Sequence, residues 1–204
     1  MNIARSQDVE NLIEQLRCAT TPAEAIALIQ QLAQSRDERA IDVLIEMLQQ
    51  HHSSVVSMAV QALVQCSSAA VEPLIAAFHN TCDHSVQAYI VQALSQSGDI
   101  RALNLLIEVV GVEVANHCQG SVRRIAARGL GKIGQGLSER EKIDRIIDKL
   151  RWAVFNAEDW ALRYAAIVSL QEIGTPEAVT VLQHVLSHES DRVVQERITV
   201  SLAN

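Results

Sequence analysis

Aromatic side chains are almost missing from this 204-residue chain: they make up 3% of it, two each of Trp, Tyr and Phe. A core so poor in rings has to be filled by close packing of aliphatic helices, and alanine, leucine, isoleucine and valine dominate. Cysteine is also scarce. Cys18, Cys66, Cys82 and Cys118 are scattered with no CxxC pair, so they are read as reduced thiols rather than disulfide staples. Basic charge is lacking too: a net charge of −7 argues against a nucleic-acid-binding rod, whose affinity would rest on an excess of Lys and Arg. No apolar run reaches 18 residues, and the amphipathic, acidic start MNIARSQDVENLIEQL is not signal-like, which predicts a cytoplasmic protein without membrane insertion. There is no GxSxG, no phosphate-cradling glycine loop and no recognisable carboxylate pair, so hydrolase and kinase readings have no support.

What the chain does have is a helix repeated five times: SVVSMAVQALVQC, SVQAYIVQALSQSG, SVRRIAARGLGKIG, WALRYAAIVSLQEIG and RVVQERITVSLAN. Aligned on Leu63, Leu94, Leu130, Leu170 and Leu202, the copies recur at steps of 31, 36, 40 and 32 residues, the spacing of stacked helical hairpins. The stride of Val122, Ala126 and Leu130 puts one narrow apolar stripe on one face, which a single hairpin cannot cover and a stack can. The reading is an all-α solenoid of six hairpins in a single domain, at about 6–35, 37–67, 69–97, 99–135, 138–173 and 176–203, with the first 36 residues an atypical N-terminal cap. Pro22, Pro73 and Pro176 fall where helices begin, and Gly98, Gly134 and Gly174 are placed just past helix ends, where a left-handed residue closes the C-terminus.

The fourth hairpin carries extra residues, VGVEVANHCQG, and the fifth is extended around VFNAEDW. Insertions in a repeat array lie along one edge, commonly the binding edge, so the chemistry is sought there. Asn116-His117-Cys118-Gln119-Gly120 leads into a helix with Arg123, Arg124, Arg128 and Lys132. Ser121 is placed as its cap, with Cys118 just outside, near the positive end of the dipole and the arginines that lower a thiol pKa. Cys118 is then either a reactive thiol, with His117 beside it to move protons, or a small core residue of the repeat. Arg124, Arg128 and Lys132 share a face on which Ala127 and Gly131 leave space. They form either an oxyanion-binding stripe or an internal ladder to acids such as Glu139 and Glu141. In Glu158-Asp159-Trp160-Ala161-Leu162-Arg163-Tyr164, Trp160 and Tyr164 can stack a flat conjugated ligand that Asp159 and Arg163 orient, or Trp160 simply packs on Trp152 or Phe155. His51-His52, Cys82 with His84, and His184 with His188 do not reach metal-site spacing, and no metal is assigned.

Repeats of this length, with VRRIAARGLG in one second helix and EDWALRYAAIVSLQ in the next, resemble the smaller, F-type subunit of the heterodimeric E/F phycobilin lyases of cyanobacteria, which carry HEAT-like repeats. The likeness covers most of residues 37–203 and is strongest at about 115–173. The run Asn116 to Gly120 is similar to the motif marking the lyase-isomerase branch. That resemblance implies a heterodimer with an E-type subunit, phycocyanobilin as bound substrate with no further cofactor, and attachment to a cysteine of a phycobiliprotein α subunit. The acceptor would be phycoerythrocyanin, with isomerisation to phycoviolobilin; in the plain phycocyanin branch the bilin stays unchanged. It further implies Arg124 and Arg128 on propionate, Trp160 and Tyr164 flanking the conjugated plane with Arg163 nearby, Asp159 protonating the pyrroles, His117 moving protons and Cys118 adding reversibly to the bilin. The rival class is a non-catalytic scaffold or chaperone of phycobilisome assembly or degradation, since fold alone does not decide function.

Overall fold

A computed structural model describes residues 2–35, 37–111 and 117–203, and all regular structure among them is helical. The chain forms two compact units, Met1–Ser97 and Gly98–Asn204. The first holds three hairpins, α1 (Asn2–Cys18) with α2 (Pro22–Ser35), α3 (Ala40–Glu46) with α4 (Ser53–Gln65), and α5 (Val71–Asn80) with α6 (His84–Ser97). The second holds three more, α7 (Leu103–Gly111) with α8 (His117–Gln135), α9 (Arg140–Asn156) with α10 (Trp160–Ile173), and α11 (Pro176–Leu186) with α12 (Arg192–Ala203). These six pairs match the six read from the repeat period. No single described helix is long and apolar enough to cross a membrane.

Within each unit the second helices pack in succession, α2 on α4 and α4 on α6, then α8 on α10 and α10 on α12. The repeated stripe is what they bury. Val55, Ala59 and Leu63, Val86, Ile90 and Leu94, and Leu162, Ala166 and Leu170 are all buried, while Val122 and Leu202 are half-buried at their ends of the pattern. Each large aliphatic side chain so removed from water contributes roughly 1.5–3 kcal/mol.

Three helix starts are fixed by acids or a hydroxyl. Asp83 and Asp191 accept from the backbone N–H groups of Ser85 and Val193 at 2.7 and 2.9 Å, and the Thr175 hydroxyl accepts from Ala178 N–H ahead of Pro176. A second device recurs at the start of two hairpins. Asp37 and Asp99 each accept from both the backbone and the guanidinium of the arginine two residues on, Arg39 and Arg101. The Arg39 guanidinium pulls the Asp37 carboxyl from the ordinary 3.8 down to about 2.

Gly98 and Gly174 do end their helices in the left-handed region, at φ of 69° and 64°. Gly134, at the equivalent place in its repeat, does not. α8 runs one residue past it, and a Cβ at Gly134 would lie 2.7 Å from Cγ1 of Ile173 on α10. This glycine is needed for close approach of two helices, not for a turn. Cys18, Cys66 and Cys82 are free thiols, and burial pushes that of Cys66 up.

Candidate functional site

The long helices α8 and α10 cross at their small residues. A Cβ at Gly131 would fall 2.6 Å from Cβ of Ser169, so only glycine lets the two backbones come this close. The fully buried Ser169 hydroxyl donates to Ala127 O at 2.9 Å and accepts from Arg128 Nη1 at 3.0 Å. The space expected beside the basic stripe at Ala127 and Gly131 is therefore filled by α10.

The stripe itself is an internal ladder along this crossing. Arg128 clamps Glu172 with both terminal nitrogens, one at 2.7 Å, and Arg124 Nε lies 3.6 Å from Asp159 Oδ2 while donating to Gly120 O. The acids are those of α10 rather than Glu139 and Glu141; Glu139 instead pairs with Lys142. Asp159 has a second duty as the cap of α10, its Oδ1 accepting from Ala161 N–H at 2.9 Å. Asp159 thus accepts one backbone N–H and has the Arg124 guanidinium beside it as an ion-pair partner.

Arg163 is likewise committed. It grips Glu189 through two nitrogens at 2.8 and 3.0 Å and donates its remaining amino group to the carbonyls of Ala157 and Glu158. Glu189 exposes 4% of its side chain and also accepts from Ser190 and Asp191 N–H. Burial works to raise its carboxyl, but the arginine and the two amides outweigh it and hold it below the ordinary value. An open pocket of about 240 Å³ borders this pair, lined by Phe155 and His188 among others, and its charges are spent on each other. Among the described residues no group of three His, Cys, Asp or Glu is placed to hold a metal.

The aromatic expectation divides. Trp160 opens α10 and is 49% exposed, and no ring contact joins it to Trp152 or Phe155 among the described residues. About half of its surface faces solvent. Tyr164, four residues on, is half-buried with the Arg197 guanidinium 6.0 Å over its ring. His117 and Cys118 are the first two residues of α8, so Ser121 is inside the helix rather than its cap, and the thiol's residue is inside the first turn rather than before it. The side chains of both, and all of Asn116, lie outside the described residues.

A cluster that sequence reasoning passed over lies beside this crossing. Arg123 is 9% exposed, donates Nε to Val110 O at 3.0 Å, and sits 5.9 Å from the ring centre of Trp152. Lys149 Nζ is 4.9 Å from the same ring, which is 37% exposed. Burial lowers the Arg123 pKa, partly offset by the field of Asp159. The signal was in the sequence as Lys149 and Trp152 three apart on one helix face, opposite an arginine of α8 that falls off the 124–128–132 stripe.

The family described as HEAT repeats matches residues 9–95 and 111–203. A relative named bilin biosynthesis protein PecF, from Mastigocladus laminosus, is 51% identical over 99% of this chain and 97% of its own length. The chain belongs to the F-type phycobilin lyase subunits. Another relative, phycocyanobilin lyase subunit beta from Nostoc sp., is 31% identical over 93% of this chain and 96% of its own. In the solved complex of CpcE and CpcF of phycocyanin lyase from Nostoc sp. PCC7120, one chain superposes with a TM-score of 0.71 at 29% identity, covering 81% of this chain and 99% of that one.

Proposed function

We propose that this chain is the F-type half of a heterodimer, completed by an E-type subunit, that binds phycocyanobilin and joins it to a cysteine of the phycoerythrocyanin α subunit with isomerisation to phycoviolobilin. The observation that carries the reading is 51% identity, maintained over nearly the whole chain, to a bilin biosynthesis protein. The E-type partner is supported by the likeness to a chain of a two-subunit lyase complex.

Attachment is an addition: the acceptor sulfur bonds to the ethylidene carbon, the carbon–carbon π bond breaks, the thiol proton ends on the neighbouring ring carbon, and nothing leaves. The protein's part is to hold bilin and acceptor in register, which removes their freedom before the step. Trp160 offers a face for the conjugated plane, and Asp159 can accept a pyrrole N–H while it caps α10. Isomerisation moves a double bond, one proton leaving the terminal ring and another arriving at the adjacent bridge. His117 is assigned both transfers and Cys118 a reversible addition that holds the bilin bent.

The test is the absorbance of the acceptor α subunit after incubation with phycocyanobilin, the E-type subunit and this chain. A covalent adduct at shorter wavelength than plain bound phycocyanobilin supports lyase and isomerase together. An unshifted adduct leaves a plain lyase, and no dependence on this chain leaves a scaffold. His117→Ala and Cys118→Ala are expected to attach bilin without rearranging it; loss of attachment in both would remove the isomerase assignment.

A further inference from the structure

A guanidinium that is nine-tenths buried normally has a carboxylate to meet it, because an uncompensated charge away from water costs several kcal/mol. Arg123 has none within ion-pair distance among the described residues, although its neighbours on the same helix, Arg124 and Arg128, each have one. Its Nε is satisfied by Val110 O. Its guanidinium carbon lies 5.9 Å from the centre of the exposed Trp152 ring. The other cation at that ring, Lys149, also lacks an acid partner among the described residues. At Gly111 a Cβ would stand 2.8 Å from Lys149 Nζ, so the end of α7 closes in on that ammonium as well.

We propose that Arg123 and Lys149 receive the two propionate carboxylates of the bilin, with the exposed edge of the Trp152 ring, which both cations approach, meeting the adjoining pyrroles. This rests on the bilin-lyase reading and relocates its anion subsite from the Arg124–Arg128 stripe, whose charge is already answered, to two cations at one ring. Arginine's planar fork suits a carboxylate, and a charge-assisted bond made in a desolvated niche is worth more than one on the surface. A ligand with two carboxylates on neighbouring rings can reach both cations from one pose; a neutral tetrapyrrole gains nothing from either.

The probe is phycocyanobilin against its dimethyl ester, titrated by visible absorbance into the heterodimer containing the full chain. The unchanged protein is expected to prefer the free acid by about tenfold or more, and Lys149→Gln and Arg123→Gln each to reduce that preference by about tenfold, with ester binding nearly unaltered. Lys149 is partly exposed, so its variant decides the matter should Arg123→Gln fail to fold. An acid-over-ester ratio that Lys149→Gln leaves unchanged overturns the propionate assignment while leaving the lyase reading intact. Failure of the unchanged heterodimer to bind either form overturns both.

Discussion

The two units share one repeat and differ in how they spend it. In residues 2–97 the ion pairs are short-range or exposed: Arg17 with Glu46, at 54% and 49% side-chain exposure, and Arg39 with Asp37. No large hydrophobic there is exposed among the described residues. In residues 98–203 side chains of the second helices reach across from one repeat to the next, Arg128 to Glu172 on α10 and Arg163 to Glu189 in the turn before α12, and the exposed large hydrophobics among the described residues, Trp152, Phe155, Trp160, Leu186, Val193 and Val200, all lie here. One unit is a plain stack. The other combines close helix crossings with uncovered rings and a buried cation that has no acid partner among the described residues.

The sharpest way to break this contrast is at its most buried pair. Arg163→Ala strands Glu189, and losing one partner of an enclosed pair costs about 3–5 kcal/mol. Hydrogen exchange read by peptide should show the loss in α9 to α12, while Arg17→Ala in the first unit produces no measurable change. Equal losses in the two would mean that the units are held in the same way. Next in size is Gly131→Ala. With a Cβ 2.6 Å from that of Ser169 the helices must part, at a cost of about 1–3 kcal/mol in a denaturant melt. Gly120→Ala is its control, since a Cβ there meets only ordinary contacts at 3.8 and 3.9 Å. A stability equal to or slightly above that of the unchanged protein is expected, because Ala is the better helix former, and a cost matching Gly131→Ala would show that the close crossing was not what was measured.

The fold was legible because periodicity is a physical demand: Leu63, Leu94, Leu130 and Leu170 recur because every hairpin must bury the same stripe. Gly134 shows where that reasoning stops. It aligns with Gly98 and Gly174, and a repeat read by analogy makes all three helix ends, yet Ile173 presses against it and the helix continues. Which contact a glycine serves depends on the facing helix, which a single chain does not spell out. The site suffered likewise. Arg124, Arg128 and Arg163 look like free ligand-gripping groups on a helical wheel, because Asp159, Glu172 and Glu189 are remote or off-face in sequence. Of the two readings of Trp160, packing on Trp152 or Phe155 finds no ring contact among the described residues. Arg123 was passed over because burial, not spacing, is what distinguishes it.

The smallest effect expected is a difference in acid sensitivity, and its sign follows from the carboxylates. Glu189 is held below its ordinary 4.5 in the fold, so its contribution is fully present above that value and is lost as pH falls through the depressed one. Asp37 follows the same rule from 3.8 down to about 2. The loss should therefore begin for Glu189 as pH falls below its ordinary 4.5 and for the Asp37 turn as pH falls below 3.8. Comparing peptide-resolved exchange between about pH 5 and about pH 3, Glu189→Gln should flatten the dependence in α10 to α12, and Asp37→Asn should flatten a later one around α3. An unchanged slope in Glu189→Gln would mean that the carboxyl is not held down by Arg163, and with it the view that the second unit is pinned by an enclosed charge would fall.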